Sequence, residues 1–232
     1  MRSYRKSRGA FERLRNFSVV GWLMIITIVF SFAVFVSLAR NPEAINYFAL
    51  KPANILQGKY LWTLITHMFT HGGVLHLFIN MFVLFSLGSL SERIIGRKRF
   101  LWFYLISGIF AGILSVLLSG YFGGSAFGAR AFGGSDVFMV GASGAIFAIA
   151  GLFVILLPRL RFAIIFFPFF TLPAYVMIPL VLFITWAATL AANLPIGNVA
   201  HFGGFLAGIV YGVYLKMKYR RKVQMLQRHF RF

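Results

Sequence analysis

The chain has 232 residues, 60% of them hydrophobic and only 12% charged, with a mean hydropathy of +0.84, a balance that excludes a water-exposed globule. Four acids stand against 23 Lys and Arg, a formal net charge of +19; in a soluble protein this would point to nucleic acid, but here the bases must first be placed relative to the apolar runs. Cysteine is absent, which removes disulfides, thiolate nucleophiles and thiolate metal sites.

A hydrocarbon core of about 30 Å needs roughly 20 apolar residues as helix, since lipid satisfies no backbone polar group. Six spans are predicted. The first is Ser18 to Ala39, uncharged and too long for the apolar region of a cleaved signal peptide, so it reads as an anchor. The second runs from about Val74 to Ser91 and the third from Leu101 to Ser119. The long loop between the first two, Arg40 to Gly73, is apolar enough to rest partly in the outer leaflet. Gly120 to Gly134 is a Gly-rich external loop that can either stay mobile or pack closely on a neighbouring backbone. The fourth span opens at Ser143 and stops before Pro158, short enough to put Ser143 below the membrane surface. The stretch before about Thr171 is expected to be interfacial or re-entrant, the fifth span is about Leu172 to Ala191, and the sixth runs from His201 to about Leu215. The chain thus divides into a basic tail, 1–17, a six-helix all-α membrane domain, 18–215, and a second basic tail, 216–232.

Placed on this frame, 19 bases fall on one side and four on the other, Arg40, Lys51, Lys59 and Arg130. Retention of positive charge in the cytoplasm then sets both termini inside, in agreement with an even number of spans. Topology and attraction to anionic lipid account for the basic tails, and no nucleic acid is expected as a partner.

Polar side chains inside spans are costly and mark function by default. His76 and Asn80 lie four apart on one face of span two; Ser143 heads span four in Gly141-Ala142-Ser143-Gly144; His201 heads span six in Ala200-His201-Phe202-Gly203-Gly204. All three spans run from outside to inside, so these residues share one face and one depth. A serine hydroxyl becomes a nucleophile when an imidazole accepts its proton, and an oxyanion formed on an amide needs donors, which a helix N-terminus, Asn80 and His76 supply. Small residues every fourth position, Gly204, Gly208 and Gly212 on span six and Gly144 and Ala148 on span four, permit the close helix contact that would bring Ser143 to His201.

His76-x-x-x-Asn80, Gly-Ala-Ser143-Gly and Ala-His201-Phe-Gly-Gly204-Phe-Leu-Ala-Gly208, in this order, resemble the rhomboid intramembrane serine proteases from about Leu61 to Gly212. The resemblance implies Ser143 as nucleophile and His201 as general base of a dyad without an acidic third member. It implies an oxyanion hole from His76, Asn80 and the Ser143 N–H, with Gly141, Ala142, Gly144, Phe147, Gly204 and Gly208 supporting the site. The implied substrate is a transmembrane helix cut near its external end, with no cofactor or metal required. A multi-pass protein of a prokaryotic plasma membrane is the expected setting. Three departures or matches qualify the likeness: Trp62-Thr63 stands where the family often has Trp-Arg, Phe147 where a tyrosine often supports the histidine, and Glu92 matches a common carboxylate, read here as an ion pair with Arg93.

Each residue alone has a plainer reading. Ser143 suits a helix N-cap, and His76 and Asn80 suit interhelical hydrogen bonds. His67, His71 and His76 have a spacing that invites a zinc ion, but H-E-x-x-H is absent and a structural role is expected. The rival functions are a catalytically inactive rhomboid-like protein that binds or escorts membrane helices, and a small transporter, which would carry a more polar midplane and inverted repeats.

Overall fold

A computed structural model describes residues 17–164, 167–192 and 196–230; the bases of the N-terminal tail lie outside the described residues. Among the described residues five helices are long and apolar enough to cross a membrane: α1 (Val19–Arg40), α2 (Val74–Ile95), α3 (Arg97–Phe122), and, later in the chain, Ala174–Ala192 and Asn198–Lys218. Between α3 and these two come α4 (Ala126–Phe132) and α5 (Ser143–Leu156), so the later pair are α6 and α7; α8 (Arg220–His229) follows. The predicted spans fall on helices, most of which extend past the predicted ends, while α6 starts at Ala174, after the predicted Leu172. Thus α2 continues to Ile95, through a π-helical segment at Leu84–Gly88, and α7 begins at Asn198 rather than His201.

The helix α5 is the axis of the bundle. Its 14 residues rise about 21 Å, less than a hydrocarbon core, and ten of them are buried. The outer helices are apolar on the opposite side as well: Val29, Phe78, Ile106, Phe183 and Val210 are all exposed by more than half. A bundle with an apolar exterior suits lipid and not water.

Close packing of α5 on α7 rests on missing side chains. A Cβ on Gly204 would overlap the Gly144 carbonyl oxygen, and one on Gly208 would overlap that of Ala148. The backbones therefore touch where the small-residue repeat predicted contact. On the other flank of α7, Gly203 lies against the α3 backbone at Ala111.

Two stretches take on structure that the sequence left open. The mainly apolar segment before α6 forms an antiparallel ribbon, β1 (Arg161–Ile164) with β2 (Phe167–Pro173), in register Arg161 with Pro173 and Ala163 with Thr171. Pairing satisfies backbone groups that an apolar environment would leave bare. Within the Gly-rich loop, Ser125 caps α4 by accepting a hydrogen bond from the Gly128 N–H at 3.0 Å, so part of this loop is ordered helix packed near α3.

Glu92 differs from expectation. Its carboxylate accepts hydrogen bonds from the Val19 and Val20 N–H groups at 3.0 and 2.9 Å, and its ion-pair partner is Arg97 at 3.6 Å rather than Arg93. Arg97 also donates to the Phe17 carbonyl. The first N–H groups of a helix lack intrahelical acceptors and carry a partial positive charge, so a buried carboxylate on α2 ties the start of α1 to the turn between α2 and α3.

Candidate active site

The site is assembled at the N-terminal ends of α5 and α7 and the adjoining part of α2. Ahead of α5, the segment from Met139 to Gly141 is held by the loop between α1 and α2. Leu50 and Met139 exchange backbone hydrogen bonds at 3.0 and 2.7 Å, and the Gly141 N–H donates to the His67 carbonyl at 2.9 Å. Further out, Ala53 N–H donates to the Ser135 carbonyl and Lys51 pairs with Asp136 at 3.0 Å. This clasp fixes where α5 begins. It also answers the absence of arginine at Thr63: that side chain is fully buried, its hydroxyl donating to the Tyr60 carbonyl, and Trp62 donates through Nε1 to the Tyr47 carbonyl.

Gly141 has φ +121°, a conformation that favours glycine. A Cβ there would stand 3.1 Å from His76 Nε2 and 3.7 Å from Ser143 Oγ, so the missing side chain leaves a gap bounded by an imidazole edge and a hydroxyl. Ala142 is fully buried behind it.

Ser143 is the first residue of α5, and its hydroxyl does not cap the helix. It lies 2.9 Å from His201 Nε2. The ring of Phe147, one turn along α5, stacks on the His201 imidazole with centroids 4.4 Å apart and planes 24° apart. His201 Nδ1 is buried without a protein partner among the described residues. The geometry therefore presents a hydroxyl against an imidazole nitrogen, with the ring oriented by stacking and by its helix rather than by a carboxylate. The stacking face does not need the hydroxyl that Phe147 lacks.

His76 Nδ1 accepts from the Gly72 N–H at 3.4 Å. In the neutral ring that bond places the proton on Nε2, the nitrogen facing the gap at Gly141. Asn80 is buried, and one N–H of its amide donates to the His76 carbonyl at 2.9 Å, leaving the second uncommitted. By helix geometry the N–H groups at the start of α5 lack intrahelical acceptors. Several donors thus converge on one small volume beside Ser143.

His76, Asn80, Ser143 and His201 line a cavity of about 1360 Å³ that continues past Ala150 and Leu87 to Arg161 and Ala163 on the ribbon, walled by α2 on one side and by Met177, Val181 and Thr185 of α6 on the other. Its lining is mainly apolar with a few convergent polar groups, the character of a binding site for a largely apolar ligand. The residues expected together, His76, Asn80, Ser143 and His201, do come together, with Phe147 and Gly141 against them.

His67 and His71 are committed to structure. The His67 ring N–H donates to the Thr63 carbonyl at 2.8 Å, and His71 Nδ1 lies 3.0 Å from the Ser31 hydroxyl of α1. Burial lowers the pKa of each to about 4, with the nearby His76 lowering His71 further.

Asn198 was not anticipated. It is buried, lines the cavity, and its amide donates to Thr189 Oγ1 at 2.7 Å, joining α7 to α6 three residues before His201. The signal available in sequence was an amide at i−3 from the proposed base, on the same helix face.

The Rhomboid domain family matches residues 58–218. The presenilin-associated rhomboid-like protein, mitochondrial, of Homo sapiens is 31% identical over 198 residues, covering 85% of this chain and 48% of that protein. Its counterpart in Mus musculus is 29% identical over 201 residues, with the same coverage. RHOMBOID-like protein 4 of Arabidopsis thaliana is 31% identical over 164 residues, 71% of this chain and 36% of the relative. The chain spans about half the length, or less, of these relatives. Two of these proteins are mitochondrial by name and the third is from a plant, which lends no support to the expectation of a prokaryotic plasma membrane. The match runs from the loop between α1 and α2 to the end of α7 and takes in every residue of the cluster around Ser143, so this multi-pass integral membrane protein belongs to the rhomboid family.

Proposed function

We propose that this protein is an intramembrane serine endopeptidase that cuts transmembrane-helix substrates near their external end. The observation that carries the reading is the 2.9 Å contact between Ser143 Oγ and His201 Nε2, with Phe147 stacked on the imidazole. In the proposed reaction Ser143 attacks the scissile carbonyl while His201 takes the hydroxyl proton. The oxyanion is stabilised by the Ser143 N–H, His76 Nε2–H and the uncommitted N–H of Asn80. His201 then passes its proton to the leaving amine, and water, activated by the same imidazole, hydrolyses the acyl-enzyme. No acidic third residue takes part.

A substrate helix must unwind to offer a carbonyl to the serine, because its intrahelical hydrogen bonds otherwise occupy the backbone. Small or helix-weakening residues near the external end reduce that cost. The apolar cavity between α2 and α6 accommodates such a segment, and water enters it from the outer face. In this reading α5 is a sixth, short crossing and both termini are cytoplasmic. The membrane domain, 18–215, then lies between two basic tails that contact lipid, 1–17 and 216–232.

The test is cleavage of a single-span membrane protein by the purified protein in proteoliposomes. Wild type is expected to cut once within the span near its outer end, with no sensitivity to chelators, while Ser143→Ala and His201→Ala do not cut. Binding of the substrate without cleavage by wild type would favour an inactive helix-binding protein.

A further inference from the structure

At the end of the bundle opposite Ser143 there is a second, smaller cavity of about 220 Å³, walled by Leu157, Arg159, Leu160, Lys216, Gln227 and Phe230. Three separate elements build it: the turn after α5, the end of α7, and α8. The turn is fixed, since the Ala174 N–H donates to the Leu160 carbonyl at 2.8 Å and the Leu160 N–H to the Leu157 carbonyl at 3.0 Å. The helix α8 is seated by Val223, which is buried, by Leu226 and Phe230 packed on the core, and by the Gln227 amide, which donates to the Ile155 carbonyl at 3.4 Å. This amide retains a second donor.

Two cations therefore flank a preformed concavity whose remaining walls are apolar. Among the described residues neither Arg159 nor Lys216, both of them exposed, has a hydrogen-bond or ion-pair partner, and none of the described carboxylates stands free at this end of the bundle. Glu43, Glu92 and Asp136 are the acidic side chains among the described residues. Glu43 and Asp136 belong to the loops at the opposite end, and Glu92 is occupied by Val19, Val20 and Arg97. Among the described residues no carboxylate lines the pocket, which leaves its two cations open to an anionic ligand. Arg159, Lys216 and Gln227 line one pocket with Leu157, Pro158, Leu160 and Phe230, a lining that fits a phosphate group attached to an apolar body. Lys216 lies 15 residues beyond His201, about 22 Å along α7, which sets the pocket deep to the opposite surface from the cluster around Ser143.

We propose that this pocket binds the headgroup phosphate of an anionic phospholipid, with the glycerol and upper acyl carbons against Leu157, Leu160 and Phe230. The site is independent of the chemistry at Ser143. It differs from diffuse attraction of a basic surface to a membrane because it depends on two particular cations and not on the sum of charge.

The test is native mass spectrometry of the purified full chain in neutral detergent, titrated with phosphatidylglycerol, with phosphatidylcholine, and with inorganic phosphate. Wild type is expected to retain phosphatidylglycerol in preference to phosphatidylcholine, and millimolar phosphate is not expected to displace it. R159Q/K216Q weakens phosphatidylglycerol binding by about tenfold, whereas R220Q/R221Q, which removes the same charge from α8 outside the pocket, changes it by less than about twofold. Gln227→Glu, which puts a carboxylate into the pocket with both cations intact, reproduces the loss. Equal weakening by the two double variants, equal retention of the two lipids, or displacement by phosphate alone would each overturn the proposal.

Discussion

Gly204 of α7 backs onto the carbonyl of Gly144 in α5 so closely that no side chain fits between them. One turn on, Gly208 does the same to Ala148. These contacts set the distance between the helices that carry Ser143 and His201. Gly204→Ala and Gly208→Ala should therefore lower stability by about 1–3 kcal/mol through overpacking, and lower activity further by parting the dyad. Gly124→Ala, at a position with nothing within 4 Å, should do neither. Thermal unfolding in detergent, run beside a cleavage assay, checks both.

Phe147 holds the His201 ring by its face, at 4.4 Å between centroids. Phe147→Tyr should keep full activity, since the added hydroxyl leaves that face unchanged. Phe147→Ala removes the stack and should reduce kcat by about fivefold, matching roughly 1 kcal/mol for an aromatic pair. The comparison is of kcat at saturating substrate. A loss confined to the tyrosine variant would contradict this role.

The gap beside Gly141 is ringed by more than one donor, so removing one should leave measurable turnover. His76→Ala and Asn80→Ala are each expected to cost on the order of 3 kcal/mol in kcat/KM, roughly a hundredfold, with residual activity above Ser143→Ala. Unchanged rates in both variants would remove these residues from the site.

His67 and His71 are buried, and burial holds each near a pKa of about 4 against an ordinary 6.5. The unfolded chain binds more protons than the folded one between those values, so stability rises with pH across that window. It should be constant above about pH 6.5, fall on acidification toward pH 4 by on the order of 3 kcal/mol per histidine, and level off below. Unfolding midpoints measured from pH 4 to 8 would show the slope, and His71→Gln should flatten it.

Much of this arrangement was legible in the chain because lipid punishes polar residues so severely. His76, Asn80, Ser143 and His201 stood out against uncharged spans, and the glycines of α7 indicated which helices touch. The ribbon of β1 and β2 was hidden, since an apolar run rich in phenylalanine carries no period that separates strand from buried helix. Glu92 was paired with its neighbour Arg93, although a carboxylate at the end of one helix can reach the bare N–H groups at the start of another, 73 residues away. The clasp between Leu50 and Met139 was invisible for a similar reason. It is made by backbone groups alone and depends on how two loops meet in space.

The pairing of Ser143 with His201 is tested most directly by labelling with a fluorophosphonate, a probe that reacts covalently with an activated serine. Purified protein in detergent is expected to take up one label, located by peptide mass spectrometry on Ser143, and to lose it in Ser143→Ala and in His201→Ala. Equal labelling of wild type and Ser143→Ala would contradict the account.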